Sequence, residues 1–127
     1  EADEEIGLRS KEAAVFGRLD DILTVTDYSV RPFVAAVPNR AYDPDEREVA
    51  EVVPLAVSDL ADLDNYESER REFSGYGCRR IHYFHVGEYT VWGATGLMLA
   101  QLLELTTDWT VPEEPDRVVD SDAELPV

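Results

Sequence analysis

Glu1-Ala2-Asp3-Glu4-Glu5-Ile6-Gly7-Leu8 opens the chain, and its spacing reads as the last turns of a helix. Steps of three and four residues return to one helix face, so Glu1 stands beside Glu4 and Glu5. Like charges so placed repel unless a cation sits among them. A hard divalent ion that takes carboxylate oxygens and keeps several waters, such as Mg2+, meets that need. Gly7 is suited to the left-handed position that ends a helix, with Leu8 folding back onto the apolar side. A solvated acidic helix end in a very acidic chain would look the same, and these eight residues alone leave both readings open.

The acidity extends to the whole chain. Among 127 residues there are 28 Asp and Glu against 11 Lys and Arg, a formal charge of −17. So acidic a surface excludes nucleic-acid backbones and anionic membranes as partners, since both need clustered Lys and Arg. A hydrophobic share of 44% argues against a disordered acidic chain. The remaining reading is a folded domain with an acidic coat, as in proteins that work at high salt, where screening removes most self-repulsion. Lys11 is the one lysine beside ten arginines, which fits a salt-adapted, halophilic protein. Cys78 stands alone, so there is no internal disulfide or cysteine metal site, and a cytoplasmic location is expected. The longest apolar stretch, residues 91–103, is too short for a membrane span.

Working outward from Gly7, residues 13–19 read as a strand and Asp20-Asp21 as a turn, with residues 23–26 extending or bulging the strand. Residues 28–37 are the best strand in the chain, and Pro32 predicts an edge position, a bulge or a break in the ladder. Residues 38–47 are a loop and residues 48–55 another strand. Residues 57–63 predict a short helix with Val57, Leu60, Ala61 and Leu63 inward. The polar, glycine-bearing residues 65–77 read as a surface excursion, and residues 80–87 as a strand. Residues 91–103 predict a helix that is apolar on nearly every side and packed on more than one face, with Gly93, Ala94 and Gly96 permitting close approach. Residues 106–127 form an acidic, proline-containing C-terminal tail, frayed from Asp116 onward. The order implies an α/β (α+β) arrangement with helices on both sides of a mixed sheet.

The opening octet resembles the second half of the Nudix box, a pattern ending Arg-Glu-apolar-x-Glu-Glu-x-Gly-apolar. Glu1, Ala2, Glu4, Glu5, Gly7 and Leu8 fill the positions that fall within the chain. The Arg before Glu1, the glycine loop and the first glutamate of the box would lie upstream, so the chain is expected to be a C-terminal fragment that begins inside the motif. Three later stretches resemble the coenzyme A pyrophosphatase branch of that family. They are Gly17-Arg18-Leu19-Asp20-Asp21 through Val34, Glu48-Val49-Ala50-Glu51-Val52-Val53-Pro54-Leu55, and Val91-Trp92-Gly93-Ala94-Thr95-Gly96-Leu97-Met98. The last is close to the Ile-Trp-Gly-x-Thr-Ala segment of that branch, with Gly96 where alanine is usual. The resemblance covers residues 1–105 and implies a Nudix-type α/β/α sandwich lacking its N-terminal part.

It also implies a chemistry. Nudix enzymes hydrolyse a diphosphate joined to another moiety, using Mg2+ or Mn2+. By this likeness Glu1 and Glu5 are metal ligands, and Glu4 is a ligand directly or through water with a catalytic part. Glu48 is the downstream general base or a further metal contact, against the plainer reading of a surface acid at a strand end. The implied substrate is coenzyme A, split by the complete protein into 4′-phosphopantetheine and 3′,5′-ADP. ADP-ribose or another small nucleoside diphosphate derivative is the alternative, and a non-catalytic acidic interaction module is the rival of another class. Homodimer formation stays open, and the fragment alone is expected to be inactive.

Other residues fit plainer roles. His82 and His85, three apart on a strand, project to opposite faces and make a poor ligand pair. Tyr83, Phe84 and Trp92 read as core aromatics, and Arg31 and Arg40 as surface arginines.

Overall fold

A computed structural model describes residues 1–24 and 26–127. The chain divides into two compact units, Glu1–Asp20 with Arg31–Pro54 and Asp21–Val30 with Leu55–Val127. Helices and strands are mixed, and sheet pairings run both parallel and antiparallel, an α+β arrangement.

The first unit opens with α1 (Ala2–Ile6), which Glu1 precedes as N-cap and Gly7 ends at φ 73°, ψ 20°. That left-handed geometry is the one expected of Gly7, because a side chain there would crowd the backbone. A 3-10 turn (Ser10–Glu12) leads into β1 (Ala14–Arg18). The strand β4 (Phe33–Ala36) pairs antiparallel with β1, and the register shifts between Val15 and Gly17. Residues 37–56 hold no helix or strand. The strand expected over residues 48–55 is therefore corrected. Its start is a turn, with the Glu48 and Val49 amides both donating to the Asp45 carbonyl at 2.9 and 2.8 Å, and no neighbouring strand takes up the rest.

The second unit contains a two-residue hairpin, β2 (Ile22–Leu23) with β3 (Ser29–Val30). The long strand expected over residues 28–37 is thus broken into β3 and β4 around Pro32, which lacks an amide donor. Of the stretch 23–26, Val25 lies outside the described residues. Then come α2 (Val57–Leu60), a 3-10 turn (Leu63–Asn65), β5 (Tyr66–Phe73), β6 (Gly77–Val86), β7 (Tyr89–Val91), α3 (Gly93–Thr106) and β8 (Arg117–Val119). The last sheet runs β7-β6-β5-β8, with β8 parallel to β5 and the other pairs antiparallel.

Its core joins Leu60, Tyr66, Phe84, Ala100, Leu103 and Trp109. Tyr66 meets Trp109 edge-on at 5.3 Å and Phe84 at 5.1 Å between ring centroids. Each large side chain removed from water here stabilises the fold by roughly 1.5–3 kcal/mol. Gly96 lets α3 lie against β6: a Cβ there would stand 2.6 Å from the His82 carbonyl oxygen. In α3 only Gly96, Ala100 and Leu103 are buried, while Leu97 and Leu105 face water. The fully buried residues form one stripe, while Ala94, Met98, Leu99 and Leu102 are half-buried around it.

Three further expectations change. Val57 and Leu63 are exposed and Leu60 alone of the four is buried, because the helix stops after one turn. Residues 66–73 are not an excursion but β5, hydrogen-bonded on both sides. The segment after residue 106 is no free tail. Trp109 supplies apolar burial, the Asp116 carboxylate accepts from the Ser68 amide at 2.8 Å, and Arg117–Val119 pairs with β5.

Candidate functional site

In the first unit, the loop after β4 closes onto the end of α1. The Asp43 and Asp45 amides donate to the Ile6 and Glu5 carbonyls at 2.9 and 2.6 Å, satisfying helix-end acceptors that would otherwise lack partners. Arg40 fastens the same junction. Its guanidinium donates to the Gly7 carbonyl at 2.9 Å and to both Glu12 carboxylate oxygens at 2.7 and 2.9 Å. The Arg40 hydrogen bonds bring the Glu12 carboxyl down to about 2. Arg40 is therefore an ion-paired surface residue.

This closure places Glu4 and Glu48, forty-four residues apart in sequence, in the lining of one open groove of about 590 Å³ with Asp45 and Arg47. Arg47 forks onto Asp45 through Nε at 3.1 Å and Nη2 at 3.0 Å, which lowers the Asp45 pKa. Glu4 and Glu48 are exposed. Glu1, at the exposed N-cap, and Glu5, half-buried, are not among the lining residues. Among the described residues no group of three or more His, Cys, Asp or Glu side chains is arranged to hold a metal ion. Of the three groove carboxylates Asp45 is taken by Arg47, and Mg2+ can bind through as few as one or two carboxylates, with waters and substrate phosphates.

A second polar cluster, absent from the sequence reading, lies on the sheet of the other unit. Alternation along β5 sends Glu67, Glu69 and Arg71 to one face. Glu69 is 0% exposed and accepts from Arg71 Nε at 2.6 Å, Arg117 Nε at 3.1 Å and the Tyr83 hydroxyl at 3.1 Å. Burial pushes the Glu69 carboxyl up, but these donors outweigh it and its pKa lies below the usual range. Burial, then the neighbouring Glu69 charge, pushes the Tyr83 hydroxyl up to about 12. Arg71 also donates to the carbonyls of Asp120, Ala123 and Glu124, tying down the C-terminal segment. Arg117 bridges Glu69 to Glu67, whose other oxygen is 2.6 Å from His85 Nε2; His85 Nδ1 lies 2.9 Å from the Thr90 hydroxyl.

His82 is on the other face, buried, with its Nδ1 2.6 Å from the Tyr66 hydroxyl. The two histidines thus diverge, as their spacing requires. Tyr83 and Phe84 are fully buried; Trp92 is 38% exposed and stacks on Tyr83 at 5.8 Å. The Glu67, Glu69, Arg71 alternation was the available signal for this cluster. Arg117, the arginine that completes it, is nearly fifty residues away and carries no such mark.

Comparison with models of protein families and with curated proteins finds no match for this chain. No helix among the described residues is long and apolar enough to cross a membrane.

Proposed function

We propose that this chain is the C-terminal part of a Nudix-type α/β/α sandwich whose complete protein is a Mg2+- or Mn2+-dependent pyrophosphohydrolase acting on coenzyme A. The observation that carries this reading is the meeting of Glu4 and Glu48 in one groove. The two lie in separate stretches of sequence that resemble the same family. Gly7 ending α1 in the left-handed conformation supports it as well.

Glu1 and Glu5 would hold the ion together with Glu4, directly or through water, from the same helix end, leaving Glu48 across the groove as general base. When bound, the ion would supply charge neutralisation for phosphate oxygens and a more acidic water. Glu48 would accept the proton of the attacking water. Arg47, on the groove wall, offers its guanidinium to a diphosphate oxygen in competition with Asp45. Water oxygen bonds to phosphorus as the bridging P–O bond breaks, releasing 4′-phosphopantetheine and 3′,5′-ADP. ADP-ribose is the alternative substrate.

A non-catalytic acidic interaction module is favoured by one observation, that the described residues hold no three-donor metal group. Assaying the protein from the complete reading frame with Mg2+ and either coenzyme A or ADP-ribose separates the readings. Faster cleavage of coenzyme A supports the proposal, preference for ADP-ribose replaces the substrate, and no cleavage of either favours the module.

A further inference from the structure

The second unit contains a cavity of about 350 Å³ that the proposed hydrolysis does not use. Its walls are Ile22 and Leu23 of β2, Phe73 of β5, Ile81 of β6, and Trp92 and Leu97 at the start of α3. The volume is at the small end of the range for small-molecule sites, which are apolar with a few placed polar groups. Leu23, Trp92 and Leu97 are each more than a third exposed, so this apolar wall faces water.

The rim of this cavity carries positive charge. Arg71 and Arg79 both line the cavity and are direct cross-strand partners. Like charges directly opposite on a sheet are destabilising. Arg71 is neutralised by Glu69 and otherwise committed to three backbone carbonyls. Arg79 instead donates to the Leu23 carbonyl and lies 5.8 Å from the Tyr76 ring centroid. Only one of its five donors is bound to that carbonyl. The neighbouring Arg80 also lines the cavity, but its guanidinium is taken up by Ser68 Oγ at 2.9 and 3.1 Å. In a chain of charge −17, a guanidinium with no carboxylate partner among the described residues, beside an open apolar cavity, is a place for an anion from outside.

The geometry points to a binding site for a small aliphatic carboxylate, its chain among Leu23, Phe73, Ile81, Trp92 and Leu97 and its head group on the Arg79 fork. The planar pair of carboxylate oxygens matches guanidinium geometry. This site is separate from the groove of Glu4 and Glu48 and stands whether or not that groove hydrolyses a diphosphate.

The test is a titration of the full chain with octanoate, followed by the indole N–H signals of its two tryptophans in NMR spectra. Trp92 lines the cavity, and Trp109, buried in the core, is the internal control. For a ligand with about ten non-hydrogen atoms the expected Kd is about 1 mM. Octanoate should shift Trp92 saturably and leave Trp109 in place, with octanol at least about tenfold weaker for want of the charge-assisted pair. Arg79→Gln should remove that difference. Leu97→Asp, at an exposed helix position, should abolish octanoate binding without disturbing the fold. A Trp92 signal that does not saturate, equal affinity for octanol, or undiminished octanoate binding in folded Arg79→Gln or Leu97→Asp would overturn the assignment.

Discussion

Glu69→Gln should be the most damaging single-atom change in the second unit. The carboxylate is fully buried, accepts from Arg71, Arg117 and Tyr83, and is the main counter-charge of Arg71. Removing one partner of a buried ion pair costs about 3–5 kcal/mol. The surroundings place this case at the low end. Arg71 keeps the carbonyls of Asp120, Ala123 and Glu124, and Arg117 keeps Glu67. The glutamine oxygen also still accepts, while its amide adds a donor where only donors converge. The expected loss is therefore about 3 kcal/mol at neutral pH. Urea denaturation followed by the fluorescence of Trp92 and Trp109, both in this unit, reads its unfolding, and Glu72→Gln, exposed on the opposite face, should stay within about 0.5 kcal/mol of the parent. Because the folded pKa of Glu69 is depressed, its contribution is present above the unfolded value and lost as pH falls through the folded one. The gap between parent and variant should then narrow in acid below pH about 4. A loss under about 1 kcal/mol at pH 7 would refute the view that this network holds the sheet and its C-terminal segment together.

Other outcomes follow from single residues. Gly96→Ala introduces the alanine usual in the coenzyme A pyrophosphatase branch, yet its Cβ would lie 2.6 Å from the His82 carbonyl. The shift of α3 should cost about 1–3 kcal/mol and outweigh the roughly 1 kcal/mol gained in helix propensity, seen as a lower melting temperature; a higher one would contradict this packing. Burial, with Arg80 nearby, brings His82 down to about 4 from its ordinary 6.5. The unfolded chain therefore binds a proton that the folded chain refuses between pH about 6.5 and 4, and stability should fall by about 3 kcal/mol on acidification across that window. A His82 ring that titrates above pH 6 by NMR would exclude this. Gly7→Ala has room for its methyl, 3.7 Å from Asp43 Cβ, but forces alanine to φ 73°. About 1 kcal/mol should be lost in a thermal melt, and no loss would mean that α1 ends differently.

Where one local rule decides the backbone, the sequence was legible. Gly7 ends α1, Pro32 divides β3 from β4, and the apolar run near residue 93 becomes α3 with Gly96 against β6. Glu4 and Glu48, which the sequence offers as candidate site residues, line one groove. The larger failures depend on distant partners. Residues 66–73 looked too polar for a central strand, since burying Glu69 and Arg71 is tolerable only with each other, Tyr83 and Arg117 in place. Residues 117–119 looked frayed because what orders them is the edge of β5. Residues 48–55 have the alternation of a strand but no neighbour to pair with, and alternation without a partner does not make a sheet.

The groove of Glu4 and Glu48 is tested most directly by 31P NMR of coenzyme A with the protein from the complete reading frame and Mg2+. The account predicts that the diphosphate signals give way to those of 4′-phosphopantetheine and 3′,5′-ADP. Glu48→Gln should slow that conversion at least about a hundredfold, in keeping with the loss of a general base, while leaving the circular dichroism spectrum unchanged. Equal rates for parent and folded Glu48→Gln, or an intact diphosphate in the parent, would contradict it.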